Sequence, residues 1–257
     1  MNLADGRISR IEDYLDASPR TSAEAEQVGP FTLFVGTGPW PYYARPARHL
    51  AGAVSVADVH HLRARQREID VPEEIEWQDA VTPTLAAACV AAGMAVYRFR
   101  LLALPEPLSP QPLIGHSTRV VDPAEDLIPL LSTQQQAFDA SARVAPAEVD
   151  HLRAQLRTGA TVAVVGPAQG RPACVGMHQP VGDVTEVVGV STRPADRRRG
   201  WAGDVTCSLV SDAVRRGSQT VFLSAASDAV ARVYERVGFR DLGVVCAAEP
   251  ATPRAIE

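Results

Sequence analysis

The alternation of apolar and polar positions changes period several times along the chain, and each change marks an element. Near the start, Ile8–Asp16 reads as a short helix and Phe31–Val35 as a strand, followed by the proline-broken loop "GTGPWPYYARPA". Val56–Glu68 reads as a helix and Glu74–Trp77 as a short strand. In "TPTLAAACVAAGMAVYRFRLLAL", Thr82 is placed as a helix cap, Pro83 at the first helical position and Gly93 as the stop, with Ala95–Leu104 a strand beyond it. The second half is more regular. An amphipathic region over Pro123–Phe138 and a helix over Pro146–Arg157 precede three strands near 161–165, 173–178 and 184–190, with turn chemistry in "GPAQGRP" and "QPVGD". A helix over Gly200–Arg216 carries Ala202, Val205, Leu209 and Ala213 on one stripe, has Arg215 and Arg216 in its last turn, and stops at Gly217. "TVFLSA" is a buried strand, Ser227–Val237 a helix stopped by Gly238, and Phe239–Ala248 the last strand. This order is α/β, or mixed α+β.

The joint is "LPEPLSPQPL", Leu104–Leu113, whose four prolines forbid a regular helix and favour an extended linker. The reading divides the chain into an N-terminal domain, 1–104, a proline-rich linker, 105–117, and a C-terminal domain, 118–257. With 257 residues and 46% apolar content a packed core is expected, and a net charge of −5 argues against a surface built to coat nucleic acid. All 25 basic residues are arginine. The absence of lysine removes a P-loop lysine, a Schiff base and a Ser–Lys dyad. Cys89, Cys174, Cys207 and Cys246 are scattered within apolar runs, so buried thiols are expected and neither a disulfide framework nor a metal site. "MNLADGRISRIEDYLD" has no apolar core of a signal peptide, and the run Leu85–Leu104 is broken by Gly93, Arg98 and Arg100, so no membrane span is expected and the cytoplasm is the default location.

Against that background "RPADRRRGWAG", Arg193–Gly203, stands out. It joins a strand to the start of a helix, where unpartnered first-turn amides and the positive end of the dipole favour an anion. Gly200 permits close backbone approach, Ala202 and Gly203 keep the surface low, and arginine side chains add charge-assisted bonds. The competing reading is a solvated charge run.

"VGVSTRPADRRRGWAG" and "VYERVGF" together resemble the two signature motifs of the GNAT superfamily of acyl-CoA N-acyltransferases. Arg197, Gly200 and Ala202 match its R/Q-x-x-G-x-G/A loop, and Tyr234, Gly238 and Phe239 match its Y-x-x-x-G-F segment. The resemblance covers roughly residues 118–250 and is nearest a bacterial subgroup with an extra N-terminal half. It implies a GNAT fold in the C-terminal domain, in a tandem arrangement with a degenerate GNAT-like N-terminal domain. That domain has only a lone G-x-G in "VGTGPW" and serves packing or walls the substrate site. "WPYYARP" is either a source of substrate contacts or, as the favoured reading, a structural loop packed on the domain interface.

The implied activity is transfer of acetyl from acetyl-CoA to a primary amine of a small molecule, with no metal. In this reading the amides of Arg197, Arg198, Arg199, Gly200, Trp201, Ala202 and Gly203 hold the pyrophosphate. The pantetheine arm pairs with Val188, Gly189 and Val190 like an added strand, and an amide near Val188 stabilises the oxyanion. Tyr234 protonates the leaving thiolate; its alternative is a buried core tyrosine. Glu186 is a general base acting through water or an exposed strand carboxylate, and alternation puts it on the face of Val188 and Val190 unless a bulge intervenes. His178 is a weaker base candidate, read first as a turn residue. Ser227 lies near where relatives carry an asparagine on the coenzyme, and a helix cap is its simplest role. Trp201 stands where the family has an aliphatic residue. Two other readings stay open, a non-catalytic acyl-CoA-binding regulator and an aminoacyl-tRNA-dependent acyltransferase. A homodimer is compatible with all three.

Overall fold

The computed structural model describes residues 3–38, 43–48, 50, 52–109, 117–137 and 141–251. In chain order the elements are α1 (Leu3–Ala17), β1 (Ala23–Val28), β2 (Phe31–Gly36), β3 (Ala44–Pro46), α2 (Val56–Glu68), β4 (Ile75–Gln78), α3 (Leu85–Ala91), β5 (Met94–Ala103), β6 (Arg119–Val120), α4 (Ile128–Gln136), α5 (Pro146–Thr158), β7 (Val162–Gly166), β8 (Cys174–Val181), β9 (Val184–Thr192), α6 (Trp201–Arg215), β10 (Thr220–Ala225), α7 (Asp228–Val237) and β11 (Arg240–Pro250).

They form two compact units, one of Met1–Leu101 with Leu242–Glu257 and the other of Leu102–Asp241. The division differs from the sequence-based one at both ends of the C-terminal domain. Leu102 and Leu104, placed before the linker, are core residues of the second unit, while β11 from Leu242 onward groups with the first. The reason is pairing. Val245–Ala248 lie antiparallel to β4, with Cys246 opposite Trp77, and Cys246 and Ala248 are buried in the first unit's core beside Phe31, Leu33, Ile75 and Trp77. Part of the proline-rich stretch, 110–116, lies outside the described residues.

The first unit is built on strands in the order β1-β2-β3-β4-β11-β5. Its first two links are antiparallel and β3–β4 is parallel, with α2 as the crossover. The second unit has the order β6-β7-β8-β9-β10, followed by the end of β5, whose neighbour Leu104 donates its N–H to the Val221 carbonyl. Here β7–β8 and β8–β9 are antiparallel and β9–β10 is parallel, with α6 as the crossover. The two halves therefore repeat one scheme of three antiparallel strands, a helix, a parallel strand, a helix and a final strand, with β11 from Leu242 onward grouped with the first unit.

Local sequence explains most boundaries. Val56–Glu68 begins at Ser55, whose side chain accepts the Asp58 N–H while the Asp58 carboxylate accepts the Ser55 N–H. Gly93, Gly217 and Gly238 end or follow helices with φ of +79°, +90° and +112°. Other boundaries shift. The helix expected to begin at Thr82 and Pro83 begins at Leu85, because the Thr82 carbonyl is used in a preceding turn that accepts the Leu85 N–H. Strand β1, "AEAEQV", has one buried residue, Val28, and carries no apolar signal of its own.

The second unit buries cores on the two faces of its strands. Toward α6 and α7 lie Val164, Val187, Val205, Leu209, Val221, Leu223, Tyr234 and Phe239. Toward α4 and α5 lie Leu127, Leu130, Leu131, Leu152, Val175 and Met177, with Val188 packed against them.

Candidate active site

Three features of the second unit meet where β9 leads into α6. The first is the separation of two strands. The parallel ladder of β9 and β10 consists of Val184 with Thr220, Thr185 with Val221 and Glu186 with Phe222, and β9 runs on to Thr192 beyond it. The second is a bulge. Between Met177–Val188 and Val175–Ser191 the β8–β9 register slips, and Gly189 in the slipped segment has φ +62°, a conformation that favours glycine. Val187 packs toward α6 and α7, Val188 toward α4 and α5, and Val190 again toward α6 and α7. The bulge thus corrects the simple alternation, because Glu186 shares a face with Val188 but not with Val190.

The third feature is the loop before α6. Arg198 at φ +62° and Gly200 at φ +91° are both left-handed, and such residues turn successive backbone N–H groups toward a common point. No side chain caps the start of α6; its Gly203 and Asp204 N–H groups both reach back to the Gly200 carbonyl. The contrast with α2 is informative. At the matching place in the first repeat the helix start is closed by Ser55 and already carries the Asp58 carboxylate, whose acidity is increased by its hydrogen bonds from Ser55. An anionic cap is built in there, whereas α6 has no side-chain cap and the acid of its first turn, Asp204, is fully buried.

The arginines divide their work. The Arg197 guanidinium donates to the carbonyls of Thr192, at 3.3 Å, and Ala137, at 2.8 Å, so its side chain braces the loop between the ends of β9 and α4. Arg193 and Arg199 both pair with Asp196, at 2.7 and 3.4 Å. Arg198 is exposed and has no ion-pair partner among the described residues. Trp201 packs on β7: a side chain on Gly166 would come within 2.9 Å of its ring, so it fills space beside Gly166 and Thr118.

Tyr234 lies on the buried side of α7 with 8% exposure, edge-on to Phe239 at 6.1 Å between ring centres. Burial, reinforced by the nearby Cys174 thiol, pushes its hydroxyl up to about 12, so it holds its proton at neutral pH. Cys174 is fully buried, and its sulfur accepts from the Thr192 hydroxyl at 3.2 Å, which ties the tyrosine's surroundings to the end of β9. Ser227 caps α7, accepting the Val230 N–H at 3.3 Å. All four cysteines are buried and unbridged, and no cluster of metal-ligating side chains occurs among the described residues.

One further residue is misread from the sequence. His178 is no turn residue. It is fully buried in β8, bonded at Nδ1 to the Thr185 hydroxyl, 2.9 Å, and at Nε2 to the Asp212 carboxylate of α6, 3.1 Å. Arg216 and Arg215 complete the group on Asp212. Its sequence separation from Asp212 hid the network. Arg45 of "WPYYARP" is likewise structural, buried and bonded to Glu12 of α1 at 3.3 Å; Trp40, Pro41 and Tyr42 lie outside the described residues.

Residues 172–247 match the model of the FR47-like family. A GCN5-related N-acetyltransferase from Kribbella flavida superposes over 99% of this chain and 98% of its own, with a TM-score of 0.74 at 22% identity. The fold is that of the GCN5-related N-acetyltransferases. A second GNAT structure, a GCN5-related N-acetyltransferase from Sphaerobacter thermophilus, covers 94% of this chain and 86% of its own at 15% identity and a TM-score of 0.63. A tandem GNAT protein from the clavulanic acid biosynthesis pathway covers 96% of each chain at 15% identity and a TM-score of 0.54, in keeping with the repeated element order. No curated protein matches. In this GNAT fold the separated strands, the bulge and the uncapped helix all fall in the second unit. No helix among the described residues is long and apolar enough to cross a membrane.

Proposed function

We propose that the protein is an acyl-CoA-dependent N-acyltransferase that moves acetyl from acetyl-CoA to a primary amine of a small molecule. The observation that carries this reading is the uncapped start of α6, reached through left-handed Arg198 and Gly200 directly beyond the bulged strand β9. In this reading the amides of 197–203 bind the pyrophosphate, and Arg197 acts by shaping the loop, since its guanidinium is taken up by protein carbonyls. The pantetheine arm lies along Val188–Val190 in the gap left by β10. The amine nitrogen attacks the thioester carbon, backbone N–H groups at the bulge stabilise the oxyanion, and the carbon–sulfur bond breaks. Tyr234 gives its proton to the departing thiolate, and Glu186 takes the proton lost by the amine through a water molecule.

Thiol release from acetyl-CoA, followed with a panel of primary amines, tests the reading. Amine-dependent release is expected, and Tyr234→Phe should lower turnover on the order of 100-fold or more while coenzyme affinity stays unchanged. Release that no amine stimulates would overturn the proposed activity. An unchanged rate in the variant would remove Tyr234 from the chemistry.

A further inference from the structure

The fold and the comparisons leave open what sets the size of the transferred group. One contact in the second unit bears on it. Gly189 lies in the slipped segment of β9, and a Cβ built there would lie 2.4 Å from Nε2 and 3.4 Å from Cδ of Gln134. The side chain of Gln134, on α4, therefore fills the space immediately over the bulge, on the strand face shared with Val188. It is half-buried, and its amide has no hydrogen-bond partner among the described residues. Its neighbours on α4, Leu130, Leu131 and Thr133, are buried, and Thr133 is held by the Pro129 and Pro172 carbonyls, so the helix that carries Gln134 is fixed in place.

We infer that Gln134 is a specificity-determining residue that limits the acyl group to a short one. The inference rests on the acyl-CoA reading, with the thioester carbonyl at the Gly189 bulge. Tyr234 approaches β9 from the α6–α7 side. An acyl group carried through the bulge then points to the opposite side, toward α4, and the first side chain it meets is Gln134. On this inference acetyl is the group that fits short of the amide. Each further methylene must displace a polar side chain from a packed helix surface, and a single methylene in a confined pocket is worth about 10- to 200-fold in discrimination.

The test is binding and transfer of acetyl-, propionyl- and butyryl-CoA by the full chain and by Gln134→Ala and Gln134→Leu, with desacyl coenzyme A beside them. Alanine suits a helix surface, so folding should be retained. The wild type is expected to favour acetyl over butyryl by about 10-fold or more. Gln134→Ala should shift that ratio about 10-fold toward butyryl, with affinity for coenzyme A itself unchanged, whereas Gln134→Leu, of similar bulk, should keep the preference for acetyl. A ratio that Gln134→Ala leaves unmoved, with acetyl-CoA still bound, overturns the inference alone. Failure of the wild type to bind any acyl-CoA overturns it together with the reading beneath it.

Discussion

Asp212 illustrates how one side chain carries several duties. Its carboxylate is bonded to His178 of β8, while Arg216 and Arg215 approach it from its own helix. Burial alone would raise its pKa, but the interactions with His178 and Arg216 outweigh burial and bring it down to about 2. A carboxyl held below its unfolded value of about 3.9 contributes stability that is present above that pH and is lost as pH falls toward 2. Urea unfolding of the wild type should therefore show a loss of stability between about pH 4 and 2 that Asp212→Ala lacks. At neutral pH the variant should be less stable by about 3 kcal/mol, since the fully buried His178 loses its partner and the exposed Arg216 loses an ion pair. Equal stability of the two proteins at neutral pH would mean that the network does not hold β8, β9 and α6 together.

At the scale of elements, legibility tracked how much of each signal was local. Val56–Glu68 has the bounds expected of it, and the structure shows that Ser55 and Asp58, which close its start, are contiguous with it. The same holds for α7, whose cap Ser227 and stop Gly238 adjoin it. Strands β1 and β6 escaped because their residues are polar or too few to show a period, and their strand character comes from pairing with β2 and β7. The site shows the same limit. "RPADRRRG" marks the loop, yet the charge run does not reveal that the Arg197 guanidinium is spent on Thr192 and Ala137. "VVGV" does not announce a bulge, since a glycine in a strand is compatible with an unbroken ladder until its φ of +62° is seen. Gln134 sits in a run of three glutamines with no period to single it out, and only its approach to Gly189 does so.

At the scale of the whole molecule, the repeat has a consequence for any attempt to divide it. A chain cut at the proline-rich stretch separates Leu102 and Leu104 from the core they complete, and it leaves the β4 edge without Val245–Ala248. Residues 118–257 expressed alone should therefore lack the cooperative thermal transition of the full chain and aggregate through exposed strand edges. A sharp transition like that of the full chain would contradict the assignment of β11 to the first unit. The repeat also explains why one site is expected instead of two. The first repeat fills its helix start with Asp58 and Ser55, whereas the second leaves its own uncapped behind Gly200.

That open helix start is the centre of the account, and calorimetric titration of the full chain with acetyl-CoA tests it most directly, with dephospho-coenzyme A and the variant Gly200→Glu beside it. Binding at one site per chain is expected, lost in Gly200→Glu, where a carboxylate and a side chain at φ +91° intrude on the place of the phosphates. Retained affinity in Gly200→Glu, or no binding of any acyl-CoA by the wild type, would contradict the assignment of this loop to a coenzyme.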